Sequence, residues 1–185
     1  GSFGRWSETG DAYARAVNLA REREIGLGRS LGMLVLEEGG KPDNSPLAAC
    51  EELGSPVTVH PALGGDIVHP HPRVDWGDLG SAAERDFDTL MERCSRLYGG
   101  VVINAGSAVV MPEVFLKALT SAQNLGAGVT GLTAANMDMI QHYRPQKNVL
   151  ERPVAALGGE TVTLTGHHEI MLPLLDAFIT AEEDR

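Results

Sequence analysis

Five of the six histidines in this 185-residue sequence fall in two short segments. His60, His69 and His71 lie in HPALGGDIVHPHP, and His167 and His168 are adjacent in TGHHE. Histidine titrates near neutral pH and needs only hydrogen-bond reach to act as a general acid or base. We therefore predict that His60, His69 and His168 are acid–base groups of an active site.

The same histidines could instead bind a metal ion. His69 and His71 alternate in a segment that prolines favour as extended, so both rings would project to one side. With His60 and Asp66 they make a nitrogen and oxygen ligand set suited to zinc or iron. A Zn or Fe site on His60, His69 and His71 is one alternative. Another is that these rings are hydrogen-bonded to the backbone or are solvated turn residues.

A third segment, HYRPQK, contains the main local cluster of cationic side chains. Arg144 could hold a substrate carboxylate or phosphate with two hydrogen bonds, and Lys147 would add a second positive charge. The alternative is that Arg144 pairs with one of the 25 acidic side chains.

Hydrophobic periodicity predicts strands that alternate with helices, which is typical of an α/β fold with a mainly parallel sheet. We expect a three-layer Rossmann-like sheet with helices on both faces. Ligands of such sheets bind where the strands end. The predicted helices are 8–25, 31–38, 46–53, 79–97, 112–125 and one from 168; the predicted strands are 57–60, 101–104, 129–133 and 161–165. In the helix from 168, the residues expected to form core are Ile170, Met171, Leu174, Leu175, Phe178 and Ile179.

Composition narrows the possible partners. The net charge of −10 would repel nucleic acid and anionic membranes. No apolar run approaches the roughly 20 residues of a membrane span, and no signal peptide is recognisable, so we expect a cytoplasmic protein. The length favours a single α/β domain over 1–185, with an N-terminal helical segment 1–44 and a main portion 45–185.

Several segments, in this order and spacing, resemble deoxyhypusine synthase, the NAD-dependent enzyme that moves an aminobutyl group from spermidine to a protein lysine. The resemblance runs from about residue 45 to 177, the C-terminal portion of that fold, and suggests a bacterial branch of the family. It rests on SPLAACEELGSPVTVHPAL, NAGSAVV, LTAANMD, the pair Arg144-Pro145 and TLTGHHEIMLPLLDAF.

The resemblance implies that NAD is the cofactor. Glycine-rich turns let backbone amides approach a pyrophosphate, and an acidic side chain can bind a ribose hydroxyl. The residues that would line the cofactor are Asp66, Gly106, Ser107, Thr133, Ala134 and His167.

This sequence differs from the family at positions that bind or react with the family's substrate. The lysine that forms its Schiff base would fall at or beside Arg152, and an arginine is not a usable amine nucleophile. The position of a family glutamate that receives the polyamine would lie near Lys147 in this sequence, so the charge there is reversed. The position of a family histidine lies near Pro112, which leaves Glu113 as the closest titratable group. Arg144, Lys147, Glu113 and His71 would therefore bind a small polar substrate that is not a polyamine, with Lys147 also catalytic.

The family's N-terminal half supplies part of the nucleotide pocket and has no counterpart in this sequence. Either the sequence is a fragment of a longer protein, or a second chain supplies that half, in which case we expect a homo- or hetero-oligomer. Three functions stay open: an NAD(P)-dependent redox-assisted transferase or oxidase, a noncatalytic subunit that completes a partner's site, and a histidine-rich metal-dependent hydrolase or lyase.

Overall fold

The computed structural model describes residues 6–183, which divide into two compact units at the boundary between Leu90 and Met91. All six predicted helices are confirmed, and the largest shift is at the second, which begins at residue 27 instead of 31. None of the helices in residues 6–183 is long and apolar enough to cross a membrane. The chain is an α/β protein.

The first unit is built from helices that pack around a small apolar core. Ala14, Val17 and Ala20 recur on one face of α1 and bury completely, because small side chains let neighbouring helices approach closely. At Gly28 in α2, a Cβ atom would lie only 2.5 Å from the Val57 carbonyl oxygen. The helices are α1 Trp6–Arg23, α2 Leu27–Glu37, a 3-10 turn Pro42–Asn44, α3 Pro46–Glu52 and α4 Trp76–Cys94.

Two predictions for the first unit are wrong. Residues 57–60 pair with no strand in the part of the chain that the structure describes; the Val59 amide donates instead to the Asp86 carboxylate over 2.8 Å. The histidine segment is a series of turns and is not extended, because the amides of His69 and His71 donate to the carbonyls of Asp66 and Val68. Local turn hydrogen bonds replace the ones that a neighbouring strand would have supplied.

The second unit contains a parallel sheet of three strands in the order β1-β2-β3 among the described residues. Helix α5 lies between the first two strands in sequence and buries Phe115, Ala118, Leu119 and Ala122. The elements are β1 Val101–Ala105, α5 Val110–Asn124, β2 Leu132–Asp138, α6 Tyr143–Pro145, a π-helical segment Gln146–Glu151, α7 Arg152–Leu157, β3 Gly159–Thr165 and α8 His168–Glu183.

The strand predictions at 101–104 and 161–165 are confirmed, whereas the one at 129–133 is misplaced. Strand β2 begins at Leu132 and consists of LTAANMD, most of which was predicted as a loop. It is the central strand, so packing favours its small buried residues Ala134 and Ala135 although alanine has low strand propensity. Gly131, with φ of +72°, makes the turn before it.

Much of the apolar surface around the sheet edges is exposed. Val101 and Ile103 in β1 are exposed, and in β3 only Leu164 is partly buried. The prediction that six apolar side chains of α8 form core is wrong for most of them: Met171 and Leu175 are partly buried, while Ile170, Leu174, Phe178 and Ile179 are exposed.

Candidate functional site

The carboxyl edge of the sheet in the second unit brings together a glycine turn and a histidine. Strand β1 ends at Ala105 and is followed by Gly106, whose φ of +69° favours glycine. The chain then enters α5, where the Ser107 hydroxyl accepts a hydrogen bond from the Met111 amide at 3.2 Å. A Cβ atom on Gly106 would lie 3.0 Å from Nε2 of His168, the first residue of α8.

His168 also faces the end of the central strand. Its Nε2 lies 4.0 Å from Oδ1 of Asp138, the last residue of β2, and its Nδ1 is buried without a hydrogen-bond partner. Asp138 Oδ1 accepts from the Met139 amide at 2.7 Å, which orients the carboxylate. A turn, a carboxylate and an imidazole therefore meet at this edge.

A series of hydrogen bonds between amide side chains links the ends of the three strands. Asn104 donates to Asn136 over 2.7 Å, and Asn136 donates to Gln141 over 2.6 Å. Gln141 in turn donates to the Leu164 carbonyl and to Thr165 Oγ1, both at 3.1 Å. Since Asn104 and Asn136 are register partners, this series of hydrogen bonds holds β1, β2 and β3 at a fixed stagger.

Sequence reasoning missed Asp138 and this series of amide hydrogen bonds. Asn104, Asn136 and Asp138 each lie within two residues of a strand end, and polar residues there are the signal that could have identified them. The signal was hidden because β2 was placed too early in the sequence.

The cationic cluster is already paired with acidic groups. Arg144 Nε lies 3.3 Å from Glu113 Oε1, which confirms the alternative that Arg144 pairs with an acidic side chain. The same Glu113 accepts from Asn148 and Lys117, both at 2.7 Å, and the Lys117 hydrogen bond is the main cause of its lowered pKa. Lys147 pairs with Glu151 one helical turn away.

In the first unit His69 is a packed, hydrogen-bonded ring. It is 1% exposed, and its Nδ1 accepts from the Gly64 amide at 3.0 Å. Its Nε2 lies 3.5 Å from the Tyr13 hydroxyl, and the ring meets Trp76 edge-on at 6.1 Å. Burial, followed by the Asp66 charge, raises the pKa of Tyr13 to about 12. These contacts favour the structural interpretation of His69 over the acid–base one.

Among the other predicted residues of this unit, the Asp66 amide donates to His69 Nδ1 at 3.4 Å, while His60 and His71 have other hydrogen-bond partners. His71 Nδ1 accepts from the Arg73 amide at 3.4 Å, and its ring is buried. His60 contacts Thr58 Oγ1 at 3.0 Å, and burial lowers the pKa of its imidazole. Asp66 is exposed. The proposed ligands His60, His69 and His71 do not form a metal-binding group, and residues 6–183 contain no other group of three or more candidate ligands.

The predicted cofactor residues of the second unit are not all at the same edge. Gly106 and Ser107 lie at the carboxyl edge, and His167 is exposed in the turn just before α8. Thr133 and Ala134 lie in the first half of β2, beside Val101 and Val102 at the start of β1, and therefore near the opposite edge.

Comparison of this chain with protein families, with curated proteins and with solved structures finds no match.

Proposed function

We propose that the second unit is a Rossmann-like nucleotide-binding unit that holds NAD(P) at the carboxyl edge of its sheet. The chain would then act as a deoxyhypusine-synthase-like enzyme, or as half of one, in a redox-assisted transfer or oxidation. The observation that carries this proposal is the Gly106 turn, which joins a parallel strand to the start of α5 and faces His168.

The order β1, glycine turn, α5, parallel β2 is the arrangement in which dinucleotide-binding proteins place a pyrophosphate. The amides at a helix N-terminus favour an anion, and a residue without a side chain lets the phosphate approach the backbone. Gly106 fits this role through its positive φ, which favours a residue without a side chain. Gly106 and Ser107 would hold the pyrophosphate.

Asp138 is the residue of this unit best placed to bind a ribose. It ends the strand that follows the glycine turn, where an acidic side chain accepts hydrogen bonds from the ribose hydroxyls. A carboxylate there also repels the 2′-phosphate of NADP. NAD is therefore the proposed cofactor, with Asp138 in the role that the sequence interpretation had assigned to Asp66.

His168 would bind the cofactor, because its Nε2 faces both the Gly106 turn and the Asp138 carboxylate, where the pyrophosphate and the adenosine ribose would lie. The nicotinamide would take a hydride from a substrate bound at the other end of the dinucleotide. The substrate would be small and polar but not a polyamine. In this chain Arg152 stands at or beside the position at which the resembled family has its Schiff-base lysine, and an arginine cannot form a Schiff base.

The test is calorimetric titration of the chain with NAD, comparing Gly106→Ala with Gly99→Ala. Gly99 has a φ of +58°, has nothing within 4 Å of its would-be Cβ and precedes β1 at the opposite edge. Both variants carry similar backbone strain of roughly 1–2 kcal/mol, but only Gly106→Ala crowds His168.

We expect Gly106→Ala to weaken NAD binding about tenfold or more, and Gly99→Ala to leave it unchanged. Equal losses in both variants would point to a general stability effect. Absence of any heat of binding from the unaltered chain up to about 1 mM NAD would refute the proposal.

A further inference from the structure

Helix α8 carries an exposed apolar stripe along one flank. We define the stripe by its residues Ile170, Leu174, Ala177, Phe178 and Ala181, which lie within about 100° of one another around a helix of 3.6 residues per turn. Ile170 is 65% exposed, Leu174 46% and Phe178 64%, and both alanines are exposed. The partly buried residues Met171 and Leu175 adjoin the stripe, about 20° and 60° beyond Phe178 around the helix.

The stripe contains no charged or hydrogen-bonding side chain. Glu169 and Asp176 project roughly to the opposite side of the helix, by their positions in the helical repeat, and Glu182 lies about 40° beyond Phe178, outside the stripe. A partner with polar or charged anchors would find nothing on the stripe with which to pair. Two identical copies of the stripe could meet without placing like charges against each other, although each chain has a net charge of −10.

The order of large and small residues makes the stripe complementary to itself. Its midpoint lies between residues 175 and 176, and Ile170 and Ala181 are equally far from that point, as are Leu174 and Ala177. If two copies of α8 pack antiparallel about this midpoint, Ile170 of one faces Ala181 of the other and Leu174 faces Ala177, so a large side chain fits over a small one at these two levels. Phe178 faces Pro173 of the other copy, which is also exposed. A two-fold axis generates this arrangement at both ends.

The available area suits a dimer of moderate affinity. At these exposures the stripe offers on the order of 400 Å² of surface per copy. Two copies would bury about 800 Å² through the stripe, and the exposed Pro173, which faces Phe178 of the other copy, adds to this area, so the total is that of a small, reversible interface.

We propose that the stripe is a homodimer contact, in which α8 of one chain packs antiparallel against α8 of a second copy. This proposal does not depend on the function proposed above. It predicts that light scattering after size exclusion shows a mass rising from 19.7 kDa toward twice that value as the concentration of the full chain increases, with a dissociation constant on the order of micromolar.

The test uses three variants of the full chain. Leu174→Glu places two like charges at the centre of the proposed contact, so the dissociation constant should rise about 30-fold or more. Leu172→Glu is the matched control, since Leu172 is 49% exposed on the other flank of the same helix and its change should leave the dimer intact. The double variant Leu174→Glu/Ala177→Lys should restore dimerisation, because the introduced carboxylate of each copy then faces the introduced ammonium of the other.

A monomer at all concentrations up to about 100 μM would overturn the proposal. So would a dimer that Leu174→Glu leaves intact, or one that Leu172→Glu disrupts equally. A monomer whose melting temperature falls with Leu174→Glu but not with Leu172→Glu would show that the stripe is covered within one chain, which also rejects the homodimer. Circular dichroism of each variant separates loss of dimer from loss of fold.

Discussion

In the proposed nucleotide site, Gly106 and Asp138 are the single positions that would decide which ligand the carboxyl edge of the sheet accepts. Gly106 leaves the backbone accessible at the end of β1, and Asp138 places a carboxylate at the end of β2. Nε2 of His168 lies near both residues: it is 4.0 Å from Asp138 Oδ1 and 3.0 Å from the position that a Cβ on Gly106 would take. A neutral side chain at 138 would leave the turn intact but remove the negative charge.

Asp138→Asn should therefore reduce the preference for NAD over NADP. The amide keeps an oxygen that can accept from Met139 but no longer repels a 2′-phosphate. We expect the ratio of the two dissociation constants to change about tenfold in favour of NADP, measured by titrating each nucleotide. Asp176→Asn, the same change of charge at an exposed position of α8, is the control. An unchanged ratio in Asp138→Asn would show that Asp138 does not face the ribose.

In the first unit, one carboxylate joins elements that are far apart in sequence. Asp86 in α4 is buried and accepts from the Gly28 amide in the first turn of α2 and from the Val59 amide, both at 2.8 Å. Helix α2 has no side-chain cap of its own, because its N-cap residue is Gly26. Burial raises the pKa of Asp86, and the backbone hydrogen bonds oppose that rise. Asp86 thus supplies the hydrogen-bond acceptors that a helix-capping side chain and a neighbouring strand would otherwise provide.

Asp86→Ala should lower the free energy of unfolding by about 2–4 kcal/mol, since it leaves the buried Gly28 amide and the partly buried Val59 amide without this acceptor. Urea unfolding followed by circular dichroism measures this loss. Asp88→Ala removes an exposed carboxylate from the same helix and should change stability by less than about 0.5 kcal/mol. If both variants unfold at the same urea concentration, Asp86 does not have the stabilising role described.

The helices and two of the strands were predictable because their signals are local. Apolar residues recur at helical spacing in α1 and α5, and valine-rich VVIN favours a strand. Strand β2 was misplaced and the helical stretch from Tyr143 to Leu157 was missed, since their residues follow no such pattern. A central strand with small residues such as Ala134 and Ala135 is stabilised by the strands on both sides of it, and a local sequence pattern does not reveal those neighbours.

The net charge of the whole molecule would affect the proposed self-association. Two copies with a net charge of −10 each repel over distances comparable to the Debye length, while the α8 stripe itself carries no charge. Repulsion should therefore weaken the proposed dimer most at low ionic strength.

Raising NaCl from about 20 to about 200 mM should strengthen the dimer several-fold, because salt screens the repulsion and leaves the apolar contact intact. Sedimentation velocity at a series of concentrations measures the effect, and Leu174→Glu/Ala177→Lys provides a comparison. Its contact relies on introduced ion pairs, so added salt should strengthen it less. A dimer of the unaltered chain that weakens with salt would contradict an uncharged contact.

By itself, the sequence was sufficient to predict the helices, the parallel α/β character and the glycine turn at Gly106, because propensity, periodicity and turn chemistry act over a few neighbouring residues. Only the tertiary structure decided that His69 is packed between Tyr13 and Trp76, that His168 meets Gly106 and Asp138, and that the apolar flank of α8 is exposed. Those outcomes depend on strand register and on which faces find a neighbour, and both are set by contacts between residues far apart in the chain.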